Sequence, residues 1–191
     1  MKVAIVCLSG LLLVGCAGSD LSDLNSSQSS APTVVAIKPF VGNPNIFALN
    51  TQLQQDYAGS QVQVLSVGNE IKVTYSADML FGVGGVELLS GTETTLDTFI
   101  KAAKEYPQAK LRVDSLTDSS GIQANNITRS EDRAQNVARY FADNGLSVEN
   151  MTLKGYGSAY YVASNETPEG RAQNRRIVIT ISNVPLPLPA V

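Results

Sequence analysis

Asp118 and Arg133 are the two residues whose types and spacing most plainly offer chemistry. Both lie in residues 117–133, TDSSGIQANNITRSEDR, where a turn rich in Asp, Ser and Gly follows an apolar run containing Leu111 and Val113. Thr128 and Glu131 have the spacing of a capping box, so the sequence predicts a helix from Arg129, with Ala134, Val137, Ala138 and Phe141 on one apolar face. Arg133 then sits about one turn in, at the same end of the helix as the Asp118 turn. An anion and a cation facing one pocket make a receptor for a small zwitterion. A carboxylate accepts from an ammonium, and a planar guanidinium grips a carboxylate with two parallel hydrogen bonds. In that role each charge is expected to be partly solvated in the free protein and to add little to stability. The same residues also fit an intramolecular ion pair, or an aspartate that caps its own turn.

The elements that must position this pair follow from periodicity. Ile46, Leu49 and Leu53 have helical spacing, and Ala58 and Gly59 end that piece. Val62, Val64 and Ser66 alternate, Gly68 and Asn69 make a turn, and Ile71, Val73 and Tyr75 alternate again, which predicts a hairpin. The glycine-rich residues 81–86, FGVGGV, lack a phosphate-binding fingerprint and are expected to form a loop. Ser90 and Glu93 are spaced as a second capping box, and Leu96, Phe99, Ile100 and Ala103 give a helix that stops at Tyr106, before Pro107. A strand over 109–115 leads into the Asp118 turn. Past the second long helix, Gly145 is placed to end it, 151–156 reads as a strand, and Thr167 and Pro168 start a short helix. Ile177, Val178, Ile179 and Ile181 are apolar on both faces, which predicts a central, covered closing strand. The order of elements predicts an α/β (α+β) two-layer sandwich of βαβαβ type with a short helix and hairpin as lead-in.

Composition narrows the chemistry. The 191 residues hold no His and no Trp, and the net charge of −3 comes with no basic stripe, so neither nucleic acid nor a His-ligated metal is expected as a partner. No cofactor is expected. Hydrolysis of a polymer is disfavoured by the missing His and by the lack of a plain carboxylate pair or of a thiol beyond the first sixteen residues. The only two cysteines are Cys7 and Cys16. Lys2 and the apolar residues 3–14 have the form of a secretory signal. Leu13, Val14, Gly15 and Cys16 resemble the lipobox of bacterial lipoproteins, which implies cleavage before Cys16 and its acylation, with palmitate among the chains. Ala17 stands where Asp would signal inner-membrane retention, which favours the outer membrane. The expected organisation is a signal peptide at 1–15, a lipidated flexible linker at 16–44, a helix and strand lead-in at 45–68, the main domain at 69–184 and a Pro-rich tail at 185–191.

A wider set of residues carries a second resemblance. Thr117, Asp118 and Gly121, then Asn126, then Arg133, Ala134 and Val137, then Gly145, then Gly155, Tyr156 and Gly157, and last Gly170, Arg171, Ala172, Asn174, Arg175 and Arg176 together resemble the OmpA-like peptidoglycan-binding domain. The lead-in from Leu53 to Ile71 is similar to the lipoprotein branch, beside the peptidoglycan-associated lipoproteins. The resemblance implies non-covalent binding of the diaminopimelate in the peptide stem of peptidoglycan. Asp118 would hold the ammonium and Arg133 the carboxylate, with Thr117 and Asn126 lining the pocket. It implies an outer-membrane lipoprotein with its domain in the periplasm, tethering membrane to wall. The alternative is a regulatory or secretion-system accessory lipoprotein that docks on the wall and meets an envelope protein partner. Two positions depart from the family pattern: Ser115 and Leu116 replace Gly-His, and Arg129 replaces a usual leucine. Arg175 and Arg176 are expected to be structural, flanking a buried strand.

Overall fold

A computed structural model describes residues 44–182. The signal peptide, Cys16, the linker but for its last residue and the Pro-rich tail lie outside the described residues. The chain begins with helix α1 (Pro44–Asp56), followed by strands β1 (Gln63–Val67) and β2 (Glu70–Ser76). Then come the short helix α2 (Ala77–Phe81), helix α3 (Glu93–Lys104) and strand β3 (Lys110–Leu116). Helix α4 (Gln123–Asp143), strand β4 (Met151–Gly155), helix α5 (Pro168–Asn174) and strand β5 (Arg176–Ser182) complete it.

The five strands form one sheet in the order β1-β2-β5-β3-β4, so the last strand is central. Only β3 and β4, joined through α4, run parallel. The other neighbours are antiparallel, with β1 and β2 closed as a hairpin at Val67 and Glu70. Register aligns apolar side chains in rows across the middle strands: Ile71, Ile181 and Leu111, then Val73, Ile179 and Val113. These rows and most of the buried apolar residues of α1, α3 and α4 belong to a single apolar cluster, so the helices cover one face and the described residues form two layers. The opposite face of β5 is mixed, with Val178 half-buried and Thr180 buried.

Contacts between layers are specific. The rings of Phe99 (α3) and Phe141 (α4) stack with centroids 5.1 Å apart, a geometry that adds about 0.5–1.5 kcal/mol beyond area burial. Tyr57, just past α1, and Tyr75 (β2) share a hydrogen bond at 2.8 Å between their hydroxyls. Helix α4 closes at Gly145 (φ 90°), where its N–H donates to Ala142 O and the N–H of Leu146 to Phe141 O, the paired bonds of a Schellman end. Helix α5 opens as its sequence predicts, with Pro168 in its first turn and Thr167 Oγ1 accepting from the Gly170 N–H.

Three sequence expectations are corrected. Helix α4 begins at Gln123, not Arg129, so Arg133 lies well inside it. Thr128 does not cap: its hydroxyl donates back to Ala124 O, as threonines within helices do. The first turns escaped the apolar pattern because their inward face is polar, with Asn126, Ser130 and Arg133 all buried. Helix α3 begins at Glu93 with Thr92 at its cap, where Ser90 was expected, and Glu93 reaches back to the Gly91 N–H. Helix α2 was not foreseen, since five residues carry no periodicity.

Candidate functional site

The turn after β3 and the second and third turns of α4 meet the glycine-rich loop after α2 around a cavity of about 210 Å³. Thr117, Asp118 and Ser120 come from the turn, Arg129 and Arg133 from α4, Val83 and Gly84 from the loop, and Arg171 and Arg175 from α5 and its end. The sequence-predicted Thr117, Asp118 and Arg133 are thus brought together.

Arg133 is only 1% exposed. Its Nε donates to Gly85 O at 2.7 Å, and its guanidinium carbon lies 5.4 Å from the Phe81 ring centroid. Its Nη2 is buried and has no hydrogen-bond partner among the described residues. A buried guanidinium nitrogen without an acceptor is costly, and here it belongs to a residue that lines an open cavity. Burial, then the nearby Arg129, lower the Arg133 pKa from its ordinary value. The expectation that Arg133 is partly solvated is corrected.

Asp118 is also buried, at 6%. Its ion-pair partner is Arg175, not Arg133: Arg175 Nη1 donates to Oδ2 at 2.5 Å. Oδ1 accepts from the Ser120 N–H at 2.9 Å, so the aspartate does cap its own turn. Burial works against the charged form, yet the Arg175 and Ser120 hydrogen bonds outweigh it and hold the carboxyl below its ordinary pKa.

Arg175 is more than the strand-flanking residue expected of it. Its Nε and Nη2 also hold Asp78 at the start of α2, at 2.6–3.0 Å. Those bonds above all, with burial opposing, push its pKa up. Arg176 points elsewhere, donating to the carbonyls of Asn174 and Tyr160. Asn126 stands one layer behind the cavity wall: Nδ2 donates to Ser120 O and Oδ1 accepts from Arg129 Nη1. It fixes the turn and Arg129 together.

Glycines let these elements approach. The N–H of Gly157 (φ 57°) donates to Ser130 Oγ and its carbonyl accepts from the Thr117 N–H. A Cβ on Gly155 would lie 2.4 Å from the backbone nitrogen of Glu131. Sequence reasoning missed Asp78 and Gly85 as participants, because each acts through a partner distant in the chain. Among the described residues no cluster of three or more His, Cys, Asp or Glu could hold a metal ion.

Comparison with known proteins finds a family model, described as OmpA family, that matches residues 80–175. "Probable lipoprotein YiaD" of Escherichia coli K12 is 33% identical over 131 residues, which cover 69% of this chain and 60% of that protein. "Peptidoglycan-binding protein ArfA" of Mycobacterium tuberculosis H37Rv is 33% identical over 112 residues, covering 59% of this chain and 34% of that protein. The chain thus spans less than two thirds of the length of these relatives. Among solved structures, the cell wall anchor of the T6SS from Pseudomonas aeruginosa aligns with a TM-score of 0.64 at 26% identity, over 70% of this chain and 96% of that one.

Proposed function

The chain belongs to the OmpA family, and on that premise we propose that it is an outer-membrane lipoprotein that binds peptidoglycan non-covalently and tethers membrane to wall. The observation that carries this is Arg133: a buried guanidinium with an unpartnered Nη2, lining the same cavity as an ionised Asp118. A ligand carboxylate accepts from the free Arg133 nitrogens, and an ammonium on the same ligand donates to Asp118. That is the free end of diaminopimelate. Thr117 lines the cavity, while Asn126 positions Arg129 and the Ser120 turn. Arg175 keeps Asp118 ionised and oriented. The proposed role is binding rather than hydrolysis, in keeping with relatives named for wall binding and anchoring.

Anchoring through acylated Cys16 rests on the lipobox resemblance and on relatives named as lipoproteins. Ala17 favours the outer membrane, with the domain in the periplasm. The likeness to a secretion-system wall anchor supports a second reading, an accessory lipoprotein that docks on the wall for an envelope protein partner. Crosslinking in intact cells separates the two by the partner it recovers or fails to recover.

The test is co-sedimentation with sacculi. Binding is expected to sacculi that contain diaminopimelate, to be competed by free diaminopimelate, and to fall sharply on sacculi with lysine in its place, which lack the carboxylate Arg133 grips. Equal retention on both walls, or on neither, overturns the proposal.

A further inference from the structure

The cavity is more positive than a receptor for a single zwitterion needs. Its lining brings four guanidinium groups, Arg129, Arg133, Arg171 and Arg175, against one carboxylate, Asp118. Including Asp78, which Arg175 holds from its other side, leaves an excess of two positive charges. The four cations are not equivalent. Arg175 is engaged by both aspartates, and Arg171 Nη1 donates to the carbonyls of Asn165 and Glu166. The excess therefore lies on Arg129, Arg133 and Arg171, and of these Arg171 is turned to backbone carbonyls while Arg129 and Arg133 share α4.

Arg129 and Arg133 are four residues apart on α4, so they stack on one helix face, with Cβ atoms about 5–6 Å apart. Like charges at this spacing destabilise a helix. Arg129 is also steered, not left to solvent: its Nη1 donates to the buried Asn126 Oδ1 at 3.1 Å, which holds the head group at the cavity wall. A leucine here would avoid the repulsion. The arrangement makes sense when the ligand supplies the missing anion.

We propose that Arg129 is a specificity-determining residue that receives a second ligand carboxylate, one beyond that held by Arg133. The inference rests on the function proposed above and sharpens its ligand: a compound with one ammonium for Asp118 and two carboxylates for the Arg129 and Arg133 pair. Amidation of the second carboxylate removes the charge without changing the shape, so the site discriminates a free acid from its amide. Because Arg129 is half-buried, that discrimination weakens as salt is added, whereas the contact at Arg133 is shielded from screening.

The experiment is calorimetric titration of the purified protein with meso-diaminopimelate and with its monoamide, which keeps one zwitterionic end. The wild-type protein is expected to bind the free acid at least about tenfold more tightly, the scale of one charge-assisted pair. In Arg129→Leu the ratio falls to near one, and Arg129→Lys restores part of it. A ratio near one in the wild type, with both compounds lost in Arg133→Ala, overturns the Arg129 inference and leaves the binding function standing. An unchanged ratio in Arg129→Leu overturns it too. If the wild type binds neither compound, both the inference and the function it rests on fall.

Discussion

Nη1 of Arg175 donates to Oδ2 of Asp118 at 2.5 Å while the rest of the same guanidinium grips Asp78. One side chain thus ties the start of α2, the turn after β3 and the end of α5 around the cavity. Asp118, proposed above to receive the ligand ammonium, is thus also held in a structural ion pair, and a carboxylate this buried stays charged because Arg175 meets it.

Arg175→Ala is accordingly expected to cost about 3 kcal/mol or more, since it strands two partly buried carboxylates. Asp118→Ala should cost less, about 1.5–3 kcal/mol, because Arg175 keeps Asp78. Urea unfolding of the singles and the double variant measures this, and the pair should show coupling above about 0.5 kcal/mol. Additive losses would mean that the 2.5 Å contact contributes nothing.

Arg133 should behave in the opposite way. Arg133→Met replaces a guanidinium that has an unpartnered buried nitrogen with an apolar chain of similar reach. Stability should stay within about 1 kcal/mol of wild type, the lost bond to Gly85 O being offset by relief of desolvation. Sacculus binding should fall at least about tenfold, as one charge-assisted contact is lost. A variant that is destabilised by several kcal/mol yet binds normally would make Arg133 part of the scaffold.

Gly155→Ala tests the packing behind the site. The added methyl would sit 2.4 Å from the backbone nitrogen of Glu131 and 2.6 Å from Ser130 Oγ, which must shift. A loss of about 1–3 kcal/mol is expected, with weaker wall binding because Ser130 also anchors Gly157. Unchanged denaturation midpoints would show that β4 and α4 can part without cost.

What the sequence revealed and what it hid divide along chain distance. The Gly68 and Asn69 turn, the Thr167 cap and the Gly145 helix end are written in neighbouring residues, and the structure has each of them. Asp118 and Arg133 could be assigned to one cavity because a single turn joins β3 to α4. Arg175 lies 57 residues from Asp118 and 97 from Asp78, and Gly85 lies 48 from Arg133, separations over which no local pattern speaks. The early start of α4 was hidden for a related reason: its buried face is polar where it lines the cavity, so the apolar stripe that announces a helix begins only at Ala134, about three turns in.

Anchoring gives a prediction independent of the cavity. Cys16→Ser should leave the protein folded and release it from the membrane fraction once peptidoglycan has been digested. Among the described residues no helix is long and apolar enough to cross a membrane. Persistence of the variant in washed outer membranes would rule out acylation as the anchor.

Acid should expose the double role of Asp118. Its folded-state pKa lies below the ordinary aspartate value of about 3.9, because the Arg175 and Ser120 hydrogen bonds overcome burial. The stabilisation is therefore complete above the unfolded-state value and is lost as pH falls through the lower, folded one. The comparison to make is the difference in unfolding free energy between wild type and Asp118→Asn across pH 2 to 7. It should be constant above about pH 5 and shrink steadily in more acid solution, since wild type takes up a proton on unfolding that the variant cannot. Wall binding by the wild type should persist into the ordinary carboxylate range and fail only below it, because the ammonium needs an ionised Asp118. A difference that grows on acidification would mean that burial, not Arg175, governs this carboxylate, and would count against Asp118 as the anionic half of the receptor.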